Sequence, residues 1–265
     1  MIQEHVEVRT RLLANYAQPA HFLQNCYVPR KAPSGGSFVY IKMHKAASTT
    51  VLATLATHIH RERALDAPEL NFRAMHKGPS EAFHIGRRFG IDKMLAKFES
   101  QHVFCFTLIR DPYARVVSAW ANKISHGGRT FRALRQAIGR KSRRHMPLRE
   151  FLAVLAEDPR ARDADRHWRP QWKEGAFDTL SYDFIGDAGR LHESMAIVTE
   201  RTFGEPAPRI ADTRESLGHA TGSSRLLTTL TDQDRAHIET AYGDDIKLFA
   251  RVAEALDHRT EKASA

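Results

Sequence analysis

Two apolar runs stand out from an otherwise polar chain, FVYI at 38–41 and VFCFTLI at 103–109. The second is unbroken, the pattern of a strand covered on both faces within a parallel sheet. Each is followed by a helix signal. After the first, Val51, Leu52, Leu55 and Ile59 recur at helical spacing and predict a helix from about Ser48 to His60. After the second, Asp111 is placed to cap a helix and Pro112 to open it. Strand followed by helix, twice over, is the grammar of an α/β fold whose core runs from Phe38 to about Ile124.

The remaining elements are read in the same way. Residues 3–17 predict an amphipathic helix, and QPAHFLQNCYVPRKAPSGGS an irregular lead-in. PLREFLAVLAED predicts a helix from Pro147 with Leu148, Phe151, Leu152 and Leu155 on one face. A short strand is expected around Phe184 and Ile185, then a helix near Leu191 to Thr202. Residues 206–230 read as a loop. A final helix is expected to open at Thr231, Asp232 and Asp234 and to run to about Leu256, with EKASA frayed. No internal repeat is present.

Chemistry concentrates where the two apolar runs end. In KMHKAASTT, at 42–50, a lysine and a hydroxyl cluster meet a helix start. Free backbone N–H groups, the hydroxyls of Ser48, Thr49 and Thr50, and Lys45 could converge on a phosphate. The plainer alternative is a Ser/Thr helix cap. A Walker loop does not fit: the segment has no glycine, and Lys45 precedes the first hydroxyl residue, Ser48, by three positions instead of directly. In RDPYARVVSAW, at 110–120, Arg110 leaves the carboxyl end of a strand and Ser118 follows two turns into the helix, a fork and a hydroxyl suited to a terminal phosphate. Alternatively Arg110 pairs with Asp111 or caps a carbonyl. Ligands of such folds gather outside the carboxyl ends of strands, which favours two anion sites over two accidents.

With these motifs in place the chain resembles the sulfotransferases that use 3′-phosphoadenosine 5′-phosphosulfate (PAPS), especially the carbohydrate sulfotransferases of the Golgi type and their bacterial relatives. RHWRPQW at 166–172 is similar to that family's His-x-x-Pro-Gln segment, YDFIG at 182–186 to its apolar-Ile-Gly segment, and LTDQDRAHIETAYGDDIKLF to its closing helix. The resemblance spans roughly residues 37–250. It implies a three-layer, P-loop-like nucleotide-binding fold, a central and mainly parallel sheet flanked by helices, in a single domain: residues 1–36 as helix and lead-in, 37–256 as catalytic core.

It also implies roles. Lys45 would neutralise charge on the departing phosphate, Ala46, Ala47, Ser48, Thr49 and Thr50 would hold the 5′ group, and Arg110 and Ser118 the 3′-phosphate. A sulfuryl group would pass directly to an acceptor hydroxyl, without a metal, and the protein would contribute positioning and electrostatic stabilisation. Ala46 and Ala47 stand where the family often has a glycine, and alanine still permits close approach. A late loop in such proteins commonly covers the nucleotide, which makes Ser223, Ser224 and Arg225 lid candidates, against an ordinary exposed loop.

The acceptor needs a base, which the family usually draws from a histidine or acid between the two phosphate motifs. His76, in a loop before a helix opened by Pro79, is the first choice and His84, within that helix, the second, with Glu81 and other carboxylates behind them. His58 and His60 are expected on the surface. Trp168, Trp172 and Arg169 are candidates for an acceptor wall, with burial in the core as the alternative. The arginine-rich segment 127–149 reads as a solvated face or as an electropositive rim steering anionic ligands, which would favour an anionic glycan.

Composition narrows the alternatives. The chain has 265 residues, 42% hydrophobic and 27% charged, as in an ordinary globular enzyme. A net charge of +9 favours anionic ligands, but aromatic residues are not interleaved with basic ones as in nucleic-acid platforms. Cys26 and Cys105 build no disulfide framework, Cys105 reads as core, and no Cys/His spacing suggests a metal site. No signal peptide or membrane span is evident, so a cytoplasmic enzyme is the simplest expectation. A nucleotide-dependent kinase and a non-catalytic polyanion or nucleic-acid binder are the alternative functions. The acceptor and the oligomeric state stay open.

Overall fold

The structure, a computed structural model, describes residues 2–16, 19–66, 81–139, 145–205, 210 and 223–264. They fall into two compact units, one drawn from Met1–Met43, Ala47–Ile109 and Gly175–His219, the other from His44–Ala46, Arg110–Glu174 and Ala220–Ala265.

The first unit is built on a sheet. Its strands are β1 (Cys26–Pro29), β2 (Ser37–Ile41), β3 (Phe83–Ile85), β4 (Val103–Ile109) and β5 (Phe184–Asp187), in the order β3-β1-β2-β4-β5. β4 pairs in parallel with β2 and with β5, while β1 is antiparallel to β2 and to β3. β1 is therefore the one reversed strand of the five. β4 is central, and Cys105 to Ile109 are all buried, as its unbroken apolar run demands. Helices Ser48–Glu62 and Leu191–Phe203 belong to the same unit, and Val51, Leu52, Leu55 and Ile59 are buried as their spacing predicts.

Three expectations are corrected here. The lead-in is not wholly irregular: it contains the short helix Pro19–Leu23 and β1, whose Cys26, Tyr27 and Val28 are buried. Pro29 ends that strand, which hid it among the Pro, Gly and Ser that follow. His84 lies in β3, opposite Val28, and not in a helix; three residues are too short for a period to show. His58 and His60 are buried, because Val51, Leu55 and Ile59 turn that face of the helix inward; the His58 ring stacks on Phe203 at 4.6 Å. Both cysteines are buried free thiols, pushed up in pKa by burial.

The second unit is helical among the described residues, with helices Pro112–Lys123, Arg129–Ala137, Leu148–Glu157, Pro159–Asp163, Gln171–Glu174, Ser223–Leu227 and Asp232–Ser264. Val116, Phe131, Leu134, Phe151, Leu152, Leu155, Trp168, Ile238 and Tyr242 pack into one core. Phe131 and Leu134 anchor the arginine-rich segment to it through one face of a helix. Asp111 caps its helix as predicted, accepting from Ala114 N–H at 2.7 Å. The final helix opens on a reciprocal cap: Asp234 accepts from the Thr231 N–H at 2.9 Å and Thr231 Oγ1 from the Asp234 N–H at 3.3 Å. It runs to Ser264, well past Leu256, so residues 261–264 are helical rather than frayed. Residues 223–227 are likewise helical, not loop.

Candidate functional site

The turn between β2 and the Ser48–Glu62 helix is strained. Lys45 and Ala47 both adopt left-handed backbone, at φ 66° and 53°, where a Cβ costs about 1–2 kcal/mol per residue. Ala47 is the N-cap and supplies no side-chain hydrogen bond, so the helix is not closed by a Ser/Thr cap as its composition suggests. Its first amides are left without that partner. Among the described residues Ser48 and Thr49 also make no hydroxyl hydrogen bond, Ser48 being buried and Thr49 half-buried. Strain of this kind persists where the surroundings hold the backbone in place.

In the second unit the surroundings of Lys45 are visible. Arg110 Nη1 donates to the Lys45 carbonyl at 3.3 Å, so the residues that carry the two sequence motifs are joined directly. Arg110 does cap a carbonyl, but that carbonyl is the lysine's own. The backbone of Arg110 is in turn clamped: its N–H donates to Gln171 Oε1 and its carbonyl accepts from Gln171 Nε2, both at 2.9 Å. Gln171 is sealed from solvent, and Asp245 on the final helix accepts from the N–H groups of Gln171 and Trp172 at 2.7 and 2.8 Å. Burial pushes the Asp245 carboxyl up although Arg115 and those N–H groups pull it down.

Arg115 is the hub. It is 1% exposed and donates to three backbone carbonyls: His44 from Nε at 2.9 Å, Arg169 from Nη1 at 2.8 Å, Arg166 from Nη2 at 3.2 Å. One rigid guanidinium therefore fastens the residue before Lys45 to the segment 166–169. Within that segment Asp165 Oδ1 meets His167 Nδ1 at 2.5 Å and accepts the His167 N–H at 2.9 Å. The His167 ring lies edge-on to His44, centroids 5.1 Å apart.

The charges of this region are lopsided. Burial, then Lys123, Arg110 and Arg115, lower the Lys45 ammonium to about 7, with Asp165 alone pulling it back up. A half-buried lysine ringed by cations is poised for an anion, whose arrival would restore its charge. His167 is also lowered, first by burial and then by Lys123 and Lys45, against the pull of Asp165. For Asp165, burial acts upward, but its bond and charge pairing with His167 leave it below its ordinary range.

Other expected site residues are placed as follows. Ser118 is buried on the Pro112–Lys123 helix and makes no hydroxyl hydrogen bond to described residues. His76 lies outside the described residues. His84 sits on an edge strand with its ring against Phe89. Trp168 is fully buried, its ring edge-on to Phe151 and its Nε1–H donating to Ala161 O at 2.8 Å, which leaves no face for a sugar. Arg169 is buried and ion-paired with Glu174 at 3.1 Å, a structural pairing rather than a wall for an acceptor. Trp172 is half-buried under Arg251. Arg225 is exposed on the Ser223–Leu227 helix, and the side chains of Ser223 and Ser224 lie outside the described residues.

Arg115, Asp165, His167, Gln171 and Asp245 were missed as site residues. For Arg115 the signal was present: it lies three residues after Pro112 and one before Val116, on the apolar side of its helix, where a charge demands an explanation. Asp245 has no such mark within a polar helix.

A model of the sulfotransferase family matches residues 34–250. The chain is 27% identical over 177 residues to carbohydrate sulfotransferase 14 of Mus musculus, a match covering 63% of this chain and 46% of that protein. To the Homo sapiens protein of that name it is 25% identical over 176 residues, with the same coverage of 63% and 46%. To the one from Danio rerio it is 27% identical over 112 residues, 38% of this chain and 30% of that one. The chain thus spans less than half the length of these curated relatives. No solved structure matches it. With the family model covering most of its length, the strained lysine turn and the arginine that caps it included, the chain belongs to the sulfotransferase family.

Proposed function

We propose that this chain transfers a sulfuryl group from PAPS to a hydroxyl of a carbohydrate, on a P-loop-like fold. The observation that carries the reading is Lys45: a half-buried ammonium lowered to about 7 among cations, its carbonyl held by Arg110. That environment suits a polyanionic nucleotide. PAPS, when bound, supplies the activated sulfur and a bisphosphate leaving group. Lys45 neutralises charge on the departing phosphate, and the hydroxyls and first amides of Ser48, Thr49 and Thr50 hold the 5′ group. Arg110 and Ser118 take the 3′-phosphate, with Gln171 and Arg115 fixing the backbone on which Arg110 and Lys45 depend. The curated relatives are named as carbohydrate sulfotransferases, which supports a glycan acceptor. The excess of Lys and Arg supports an acidic one.

The test is direct. Adenosine 3′,5′-bisphosphate at a hundred times its Kd should stabilise the protein by about 2.7 kcal/mol without magnesium, and ATP should not. Radiolabelled PAPS should then label some member of an oligosaccharide panel. Stabilisation by ATP with magnesium alone would point to a kinase. Stabilisation only by heparin or duplex DNA, with steep salt dependence, would point to a polyanion binder.

A further inference from the structure

We infer that His167 is the general base that takes the acceptor's proton, with Asp165 as the residue that positions it. The inference rests on the sulfotransfer reading above and adds to it the group that activates the hydroxyl.

Four observations carry it. Asp165 Oδ1 engages Nδ1 of His167 at 2.5 Å, which fixes the neutral ring as the Nδ1–H tautomer and leaves Nε2 as the acceptor. Nε2 makes no hydrogen bond among the described residues. The side chains of His167 and Asp165 are 17% and 21% exposed, screened from bulk water yet open to a small hydroxyl. The ring rests against His44, the neighbour of Lys45, and Arg115 holds the carbonyls of His44, Arg166 and Arg169 together. The groups that bear on its charge are Asp165, Lys45 and Lys123, and the His44 ring lies beside it. The other described histidines near the motifs fit worse. His58 and His60 are buried in the Ser48–Glu62 helix, with His58 stacked on Phe203 and His60 Nδ1 bonded to Asp66 O. His84 is on the edge strand β3.

In the step, the acceptor O–H bond breaks and its proton passes to Nε2 as the oxygen bonds to sulfur. The bond from sulfur to the oxygen of the 5′-phosphate breaks with its electron pair, leaving adenosine 3′,5′-bisphosphate, a sulfate ester and imidazolium. The imidazolium is stabilised by Asp165 and returns its proton to water. The lowered pKa keeps the ring neutral at physiological pH, ready to accept.

His167→Gln and Asp165→Asn are to be measured for turnover with radiolabelled PAPS and the oligosaccharide panel, for Kd of adenosine 3′,5′-bisphosphate by calorimetry, and for the pH profile of kcat/KM. His167→Gln should lower kcat at least about a hundredfold and abolish the acid limb, with the bisphosphate Kd within about twofold of wild type. Asp165→Asn should move the acid limb to lower pH, because it removes the charge that favours the imidazolium; a merely structural aspartate would lower activity without moving the limb. Long-range nitrogen NMR of the unliganded wild type should show His167 as the Nδ1–H tautomer above its pKa, and the Nε2–H tautomer would overturn the proposal. It is equally overturned if His167→Gln keeps its acid limb, if its bisphosphate affinity falls in parallel with turnover, or if the limb is lost in His76→Ala instead. A wild-type protein that binds no bisphosphate sinks the donor reading, and the base with it. Sulfate transfer that survives in His167→Gln sinks the base alone.

Discussion

The two units bury polar groups in opposite ways. In the sheet unit the interior polar groups are mostly neutral and satisfied locally: Thr199 and Thr202 donate to carbonyls one helical turn back, and Thr107 to Ile41 O on the adjacent strand. His58 is buried with neither ring nitrogen bonded to a described residue, and burial lowers its pKa, so it is an uncharged packing ring. In the helical unit several buried polar groups, most of them ionisable, reach across the chain. Arg115 ties residues 44, 166 and 169, Asp245 ties 171 and 172, and Gln171 ties 110. Burial in the first unit makes a scaffold; in the second it sets the position of backbone that bears the candidate site residues. Lys45 stands apart even there, a half-buried lysine whose charged neighbours are nearly all cations.

The hardest blow to this contrast is Arg115→Met. Three carbonyls lose their donors, at about 1–3 kcal/mol each, so the helical unit should lose on the order of 3–9 kcal/mol in urea unfolding. Thr199→Val in the sheet unit should cost no more than about 1 kcal/mol by the same measurement, since its hydroxyl bonds a carbonyl already in a helical ladder. Equal losses would erase the distinction.

Lys45→Met comes next. Sulfate transfer should fall about a thousandfold, the scale of removing one electrostatic donor, while the unliganded protein becomes more stable. The sign follows from its pKa: about 7 when folded against an ordinary 10.5. The folded state penalises the charged lysine, fully below about pH 7 and no longer above about 10.5. The gain in melting temperature should therefore be largest at the low end of that window and fade as pH rises. A variant less stable than wild type at pH 6 would mean that Lys45 is there for packing.

Much of this was legible from residue order. β4 was visible because a central parallel strand needs apolar residues on both faces. The Lys45 and Arg110 motifs were visible because each sits at a strand-to-helix junction. β1 was hidden by Pro29 and the loop composition beyond it, and β3 by its three-residue length. Arg115, Gln171 and Asp245 act through backbone atoms of residues more than fifty positions away, and no local pattern encodes such a partner. His167 lay inside a recognised segment, but its pairing with Asp165 is made by a turn that spacing alone does not distinguish from a surface one. Trp168 was readable as acceptor wall or core, and its burial decides for core.

Arg110 separates side chain from backbone. Arg110→Ala should weaken adenosine 3′,5′-bisphosphate by about 10–100-fold, as expected for one charged hydrogen-bonding group. Gln171→Leu, which leaves the guanidinium but frees its backbone, should weaken it by about tenfold, and the two together by little more than Arg110→Ala alone. Full additivity would show that Gln171 acts elsewhere than through Arg110.

The mildest test changes no residue. Between pH 7.5 and 8.5 both phosphates of the bisphosphate are already dianionic, since their second pKa is about 6. His58, lowered from its ordinary 6.5, is neutral throughout that window and contributes nothing. Free Lys45, at about 7, is mostly neutral there too, whereas the bound anions favour its charged form. Binding must then take up close to one proton, and Kd should rise toward tenfold over that single pH unit. Calorimetry in buffers of different ionisation enthalpy would count the proton, and Lys45→Met should flatten the slope. A Kd independent of pH in wild type would mean that Lys45 is charged before the ligand arrives. The helical unit would then hold its cation by compensation, as it holds Arg115, and not in wait for an anion.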